Sequence, residues 1–243
     1  MTRPLAASVV WLIAGAVLIA GLYWTFLYTP ESNLSMLAAS AMLVVAMLAV
    51  ASISATGALR AWTGPRGLPS TVVDGLHALP AFVATLLIGA LVWWAAARGA
   101  AWTVARSGEI AAWFIATFNW ADIAPVFRGI RAVTFWVQWV LTPVVALGLF
   151  AGWLEAGVRG LIGPSGLGRV LAPRVLALAT LWMVLLVALP WQFATRPLTG
   201  LPSTWVEPAI VGARLMLVGL VAAIGLALVC GTVTRTLTRQ RGA

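Results

Sequence analysis

Six long stretches of this chain are almost free of charge: residues 5–28, 34–58, 77–97, 131–154, 173–194 and 209–231. An α-helix rises about 1.5 Å per residue, so about 20 residues cross the ~30 Å hydrocarbon core of a bilayer. Each stretch has that reach. Hydrocarbon offers no hydrogen bonds, so a spanning backbone must satisfy its own N–H and C=O groups, which leaves helices or closed barrels. Barrel strands alternate apolar and polar residues, whereas these runs are continuous. The chain is therefore predicted to be an all-α integral membrane protein, a six-transmembrane-helix bundle. Its composition, 62% hydrophobic and 9% charged, agrees, since soluble domains are about a quarter charged.

Proline and glycine clusters mark the connections. "YTPESN" follows the first run, "GPRGLPST" the second, and "TRPLTGLPST" precedes the sixth. A Gly-rich loop containing "GPSGLGR" separates the fourth from the fifth. The first run is too long for a signal-peptide core and lacks a convincing small-residue cleavage site, so it is expected to remain as the first span.

All the basic residues are arginine, and the net charge is +9. A nucleic-acid surface would need a basic stripe interleaved with aromatics outside the apolar runs, and none is found. The arginines instead flank the runs, as the positive-inside rule and contact with anionic lipid require. Anionic lipids are thus the expected partners and nucleic acid is not. With six spans, Arg3, Arg60, Arg66, Arg159, Arg169, Arg174, Arg235, Arg239 and Arg241 share the side of the N-terminus. Arg98, Arg106, Arg128, Arg131 and Arg196 lie on the other. The richer side, with both termini, is expected to be cytoplasmic. The arginine-only, alanine-rich composition points to a bacterial inner membrane.

Residues 99–130 could form a seventh crossing, but Arg106 and Glu109 would then sit in hydrocarbon, where charge is costly. Ile110, Trp113, Phe114, Thr117 and Phe118 instead share one helical face, and Trp120 returns to it. Such a face suits an amphipathic Trp-rich helix lying in the interface, where indole rings are at home. The expected organisation is a first three-helix half (1–98), an external interfacial linker (99–130) and a second three-helix half (131–243).

An octapeptide recurs. "GLPSTVVD" occupies 67–74 and "GLPSTWVE" occupies 200–207, each just before a span. As capping boxes, Thr71 and Thr204 would N-cap the next helix, with Asp74 and Glu207 three residues on. The same helix-start solution could also have arisen twice by chance. If the repeat is a duplication, three spans per half run the halves in opposite directions, an inverted 3+3 arrangement known among transporters.

Chemistry is sparse. The acids Glu31, Asp74, Glu109, Asp122, Glu155 and Glu207 all fall at span ends or in loops, so no carboxylate relay for protons is expected. The single Cys and single His exclude an intrachain disulfide and a Cys/His metal cluster. "GPSGLGR" lacks the Lys-Ser/Thr of a phosphate loop. A Ser165–His77 pair would lack an orienting partner. No catalytic residue, cofactor or metal is expected. The candidate intramembrane polar contacts are Gln138, for a neighbouring helix or a substrate, and Arg214, which could snorkel, pair with Glu207 or bind an anion. Pro143 is expected to kink span four. Gly219, Ala223, Ala227 and Gly231 recur every four residues as a packing stripe, marking span six as a buried packing helix or a homomeric contact. Two functions fit: a non-catalytic membrane subunit or scaffold of a larger assembly, or a small transporter or permease subunit for a neutral or amphipathic solute or lipid. Scant acid–base machinery leaves an intramembrane enzyme a distant third.

Overall fold

The computed structural model describes residues 2–30, 33–64, 67–120, 122–158, 171–195 and 206–239, with side chains at 193–195, 206–208 and 237–239 outside that description. Among the described residues there are helices and no strands. In chain order these are α1 (Thr2–Leu27), α2 (Leu34–Thr63), α3 (Leu68–His77), α4 (Leu79–Ala105), α5 (Ser107–Phe118), α6 (Ala124–Trp136), α7 (Thr142–Ala156), α8 (Pro173–Met183), α9 (Leu189–Thr195) and α10 (Val206–Arg239). Wide five-residue turns, Val137–Leu141 and Val184–Ala188, join α6 to α7 and α8 to α9. Each of those pairs is one interrupted span. Among the described residues, six segments are long and apolar enough to cross a membrane: Thr2–Leu27, Leu34–Thr63, Leu79–Ala105, Ala124–Ala156, Pro173–Gln192 and Ala209–Thr236.

Between helices in lipid, close packing supplies the attraction that water supplies elsewhere. Small residues permit it here. Gly15 of α1 lies against the Ser54 side chain and Gly57 of α2 against the Trp11 ring. α4 runs antiparallel to α6 and α7. Phe82 meets Phe150 edge-on at 5.2 Å, Gly89 faces Thr142 and Ala146, and Trp93 meets Trp139 at 5.3 Å. The C-terminal half of α10 is the axis of the bundle and packs on α1, α2, α7 and α8. Val229, Cys230 and Val233 there are buried in one core with Leu59, Val140, Val144, Phe150 and Met183. The halves pack unequally. α1 lies along much of α2, whereas spans four and five meet chiefly where the first wide turn touches α8.

Three expected boundaries move. Span two continues to Thr63 instead of ending near residue 58, because Arg60 in its last turn finds partners on neighbouring helices. Span three runs to Ala105, with the Arg98 guanidinium 5.5 Å from the Trp94 ring. Span four begins at Ala124. Pro125 is tolerated in a first turn that needs no N–H from it, and the Asp122 carboxylate accepts from the Ala124 N–H at 2.9 Å. Helix thus extends at both ends into the residues 99–130 expected to form the linker.

The capping role expected of Thr71 and Asp74 is also corrected. α3 begins at Leu68, behind an extended Gly67, with Pro69 in its first turn. The proline starts the helix, as its fixed φ favours. Thr71 therefore lies inside α3, buried, its hydroxyl donating to the Gly67 carbonyl at 3.2 Å. Asp74 lies in the second turn rather than at a cap. Thr204 lies outside the described residues. Glu207 lies on α10, but its side chain is not described.

Candidate functional site

Charge is gathered where α2 ends. Arg60 Nη2 lies 3.7 Å from Asp74 Oδ2 on α3 and donates to the Leu154 carbonyl of α7 at 3.2 Å. Glu155 of α7 and Thr234 of α10 line the same narrow cleft as Arg60. Side chains of Arg60 and Asp74 are only 21% and 28% exposed, so their attraction is less screened than at an open surface. Beneath the ion pair, α3 presses on α2. The Ser52 hydroxyl donates to the Gly75 carbonyl at 2.7 Å within the protein. A Cβ on Gly75 would fall 2.6 Å from Ile53 Cα, closer than atoms can approach. Glycine here is a condition of contact between the helices, and that contact brings Asp74 to Arg60.

The two wide turns share one cause. Pro143 and Pro190 each follow the last wide-turn residue by two positions. A proline in a helix cannot donate, and its ring crowds the carbonyl four residues earlier, here that of Trp139 or Leu186. Widening the preceding turn makes room. The Thr142 and Leu189 N–H groups accordingly reach back five residues to the Val137 and Val184 carbonyls. The Thr142 hydroxyl adds a second donor to Val137 at 2.9 Å. Gln138 sits half-buried in the first of these turns.

Next to that turn, Trp136 Nε1 donates to the Thr180 hydroxyl of α8 at 2.9 Å, and Thr180 donates onward to the Leu176 carbonyl at 2.6 Å. This relay ties span four to span five. Thr180→Val keeps the shape and removes the acceptor. We expect a loss of about 1–2 kcal/mol, because the indole N–H is left unsatisfied away from water. Unfolding by a denaturing detergent, followed by tryptophan fluorescence, reads that loss.

The remaining candidates are dispersed. Arg214 is half-buried in the first third of α10. Of the packing stripe, Ala223, Ala227 and Gly231 are buried, whereas Gly219 is exposed with open space beside it. Gly225 and Gly231 make the closest approaches: a Cβ at Gly225 would lie 2.9 Å from Leu186 Cβ, and one at Gly231 would lie 2.7 Å from Trp62 Cζ2. His77 Nδ1 lies 3.0 Å from its own helix carbonyl at Val73, and Ser165 lies outside the described residues. Among the described residues no group of His, Cys, Asp and Glu could hold a metal ion. Arg60 and Gly75 were not singled out from sequence. A Gly at the eighth helical position and an Arg fourteen residues before an Asp are ordinary patterns until the helix boundaries are known.

At the opposite end, α5 has no buried residue and touches little besides α4. Asn119 adopts a left-handed conformation (φ 52°) and ends α5. That turn carries Trp120 back over the helix, stacked on Phe114 at 5.7 Å and near Phe118 at 5.7 Å. Trp113 meets Phe114 at 5.0 Å and Phe118 at 5.6 Å. These four rings form an aromatic platform, with Trp113, Phe118 and Trp120 about half exposed. Arg106 lies 5.0 Å above Trp102 at the α4–α5 junction. Trp113, Phe114 and Phe118 of this platform are three of the five residues assigned to the apolar face.

No protein-family model, curated protein or solved structure matches the chain.

Proposed function

We propose that this protein is a non-catalytic, membrane-embedded subunit or scaffold of a larger assembly in a bacterial inner membrane, with both termini cytoplasmic. The observation that carries this reading is α5. Its twelve residues, with Trp120 just beyond them, carry a four-ring aromatic platform, and none of the twelve is buried within the chain. Exposed aromatic clusters mark binding or membrane surfaces. On this reading α5 lies in the interface and offers its platform to lipid and to partner subunits. The outer half of α10, where Gly212 and Gly219 have open space and Met216 is 80% exposed, provides a second face for a partner helix or another copy. The charges support the same reading, since the Arg60–Asp74 pair joins helices.

A second reading is a small transporter or permease subunit with inverted repeats, moving a neutral or amphipathic solute or lipid. The two proline-linked wide turns favour it, because interrupted helices line substrate sites in transporters. Purification in mild detergent separates the two. Stable co-purification with other proteins, lost when Trp113, Phe118 and Trp120 are replaced by serine, supports the subunit. A monodisperse chain that moves solute in liposomes supports the transporter and overturns the subunit.

A further inference from the structure

A cleft of about 450 Å³ opens between α2, α8 and α10, near the end of the bundle that holds Arg60. Its lining changes along the helix axes from basic to apolar. α8 and α10 run antiparallel there, because Gly225 faces Leu186, Val187 and the Trp182 carbonyl. That register puts Arg174 of α8 level with Arg235 and Thr236 of α10, at the end nearer the helix termini, here taken as the mouth. Leu178 and Thr232 follow, and Trp182 and Leu228 lie at the end nearer the helix centres. From Arg174 to Trp182 is eight residues, or ~12 Å of depth.

The donors at the mouth are cationic. The Thr232 and Thr236 hydroxyls donate to the Leu228 and Thr232 carbonyls, each at 2.8 Å, and Arg174 and Arg235 give this end of the lining its positive charge. Arg235 is held in place by the Trp62 ring, with its guanidinium carbon 4.9 Å from the ring centroid. Trp62 is in turn held close against Gly231. Its indole N–H is buried beside the cleft and has no acceptor among the described residues. Two arginines, one fixed by an aromatic ring, above an apolar channel that deepens toward the bilayer centre match one ligand shape: a phosphate with an attached hydrocarbon chain.

We propose that this cleft binds one anionic phospholipid, its phosphate between Arg174 and Arg235 and an acyl chain against Leu178, Trp182 and Leu228. The site does not depend on whether the protein is a subunit or a transporter. Basic pockets between spans recognise headgroups through this pairing of charge and apolar depth.

Native mass spectrometry of the delipidated full chain, titrated with phosphatidylglycerol, tests it. The expected result is one tightly retained lipid, with phosphatidylcholine retained much less. Each arginine at a membrane surface is worth about fivefold, so Arg174→Gln with Arg235→Gln should weaken retention about thirtyfold. Arg98→Gln with Arg128→Gln, at the other end, should leave it unchanged. Trp62→Phe keeps the ring under Arg235 and gives a milder variant should the double one misfold; it should weaken retention severalfold. Equal retention of both lipids, or equal loss from the distant arginine pair, would overturn the proposal. Inorganic phosphate or glycerol phosphate that displaces the lipid at matched concentration would overturn the lipid assignment in favour of a soluble anion.

Discussion

Gly75→Val should lower the stability of the folded bundle by about 3 kcal/mol, near the upper end for overpacking a tight contact. The side chain has nowhere to go. The atom it meets first is the Ile53 Cα, at 2.6 Å, with Ile53 Cγ1 at 2.9 Å and the Ile53 N at 3.1 Å, and backbone cannot swing aside as a flexible side chain can. α3 would have to lift from α2, breaking the buried Ser52–Gly75 hydrogen bond and drawing Asp74 away from Arg60. At the exposed Gly219, where nothing lies within 4 Å, the same substitution should cost well under 1 kcal/mol. Thermal midpoints of the two variants in one detergent make the comparison. Equal midpoints would mean that α3 does not pack on α2 as described.

Arg60→Ala should have an effect of similar size, about 2–3 kcal/mol. A charge-assisted hydrogen bond contributes ~1.5–3 kcal/mol, and removing Arg60 takes the opposite charge from beside a partly buried carboxylate. Arg60 serves two neighbours, the Asp74 carboxylate and the Leu154 carbonyl, so its loss loosens α7 as well as α3. Asp74→Asn should cost less, because Arg60 keeps its hydrogen bond to the Leu154 carbonyl and only the 3.7 Å ionic attraction is lost. A double-mutant cycle of Arg60→Ala with Asp74→Ala isolates the pair. A coupling near zero would mean that the pair adds nothing beyond its surroundings.

Much of the bundle is legible from hydropathy alone, because ~20 uncharged residues have few other fates. Six apolar runs correspond to six spanning helices. What hydropathy misplaces are ends that charged and proline residues appear to forbid. Arg60 seemed to lie past the end of span two, yet the helix carries it to Asp74. Pro69 and Gly67 looked like loop residues, yet proline in a first turn starts α3, and the Thr71 hydroxyl turns inward. Arg128 and Arg131 suggested that span four begins later than Ala124, though long arginine side chains reach water from a helix that starts early. The site was less legible than the fold. Pro143 pointed to a distortion of span four, but the wide turn that absorbs it, and its counterpart before Pro190, depend on hydrogen-bond register. The Arg60 cluster depends on three helix ends meeting, and local sequence carries no sign of that. The small-residue stripe on α10 was legible at Ala223, Ala227 and Gly231, while Gly219 faces open space.

The account rests on six crossings, with three of them between the two octapeptides. Thiol labelling from each side of intact cells tests this most directly. Cys230 is replaced by serine, and single cysteines are placed at Ser70 and at Ser203. Ser70 is exposed at the start of α3, and three crossings later Ser203 precedes α10. The account predicts that a membrane-impermeant reagent reaches the two positions from opposite sides. Labelling of both from the same side would mean that the Trp-rich segment around α5 is itself a crossing, and would contradict both the six-span topology and the inverted halves.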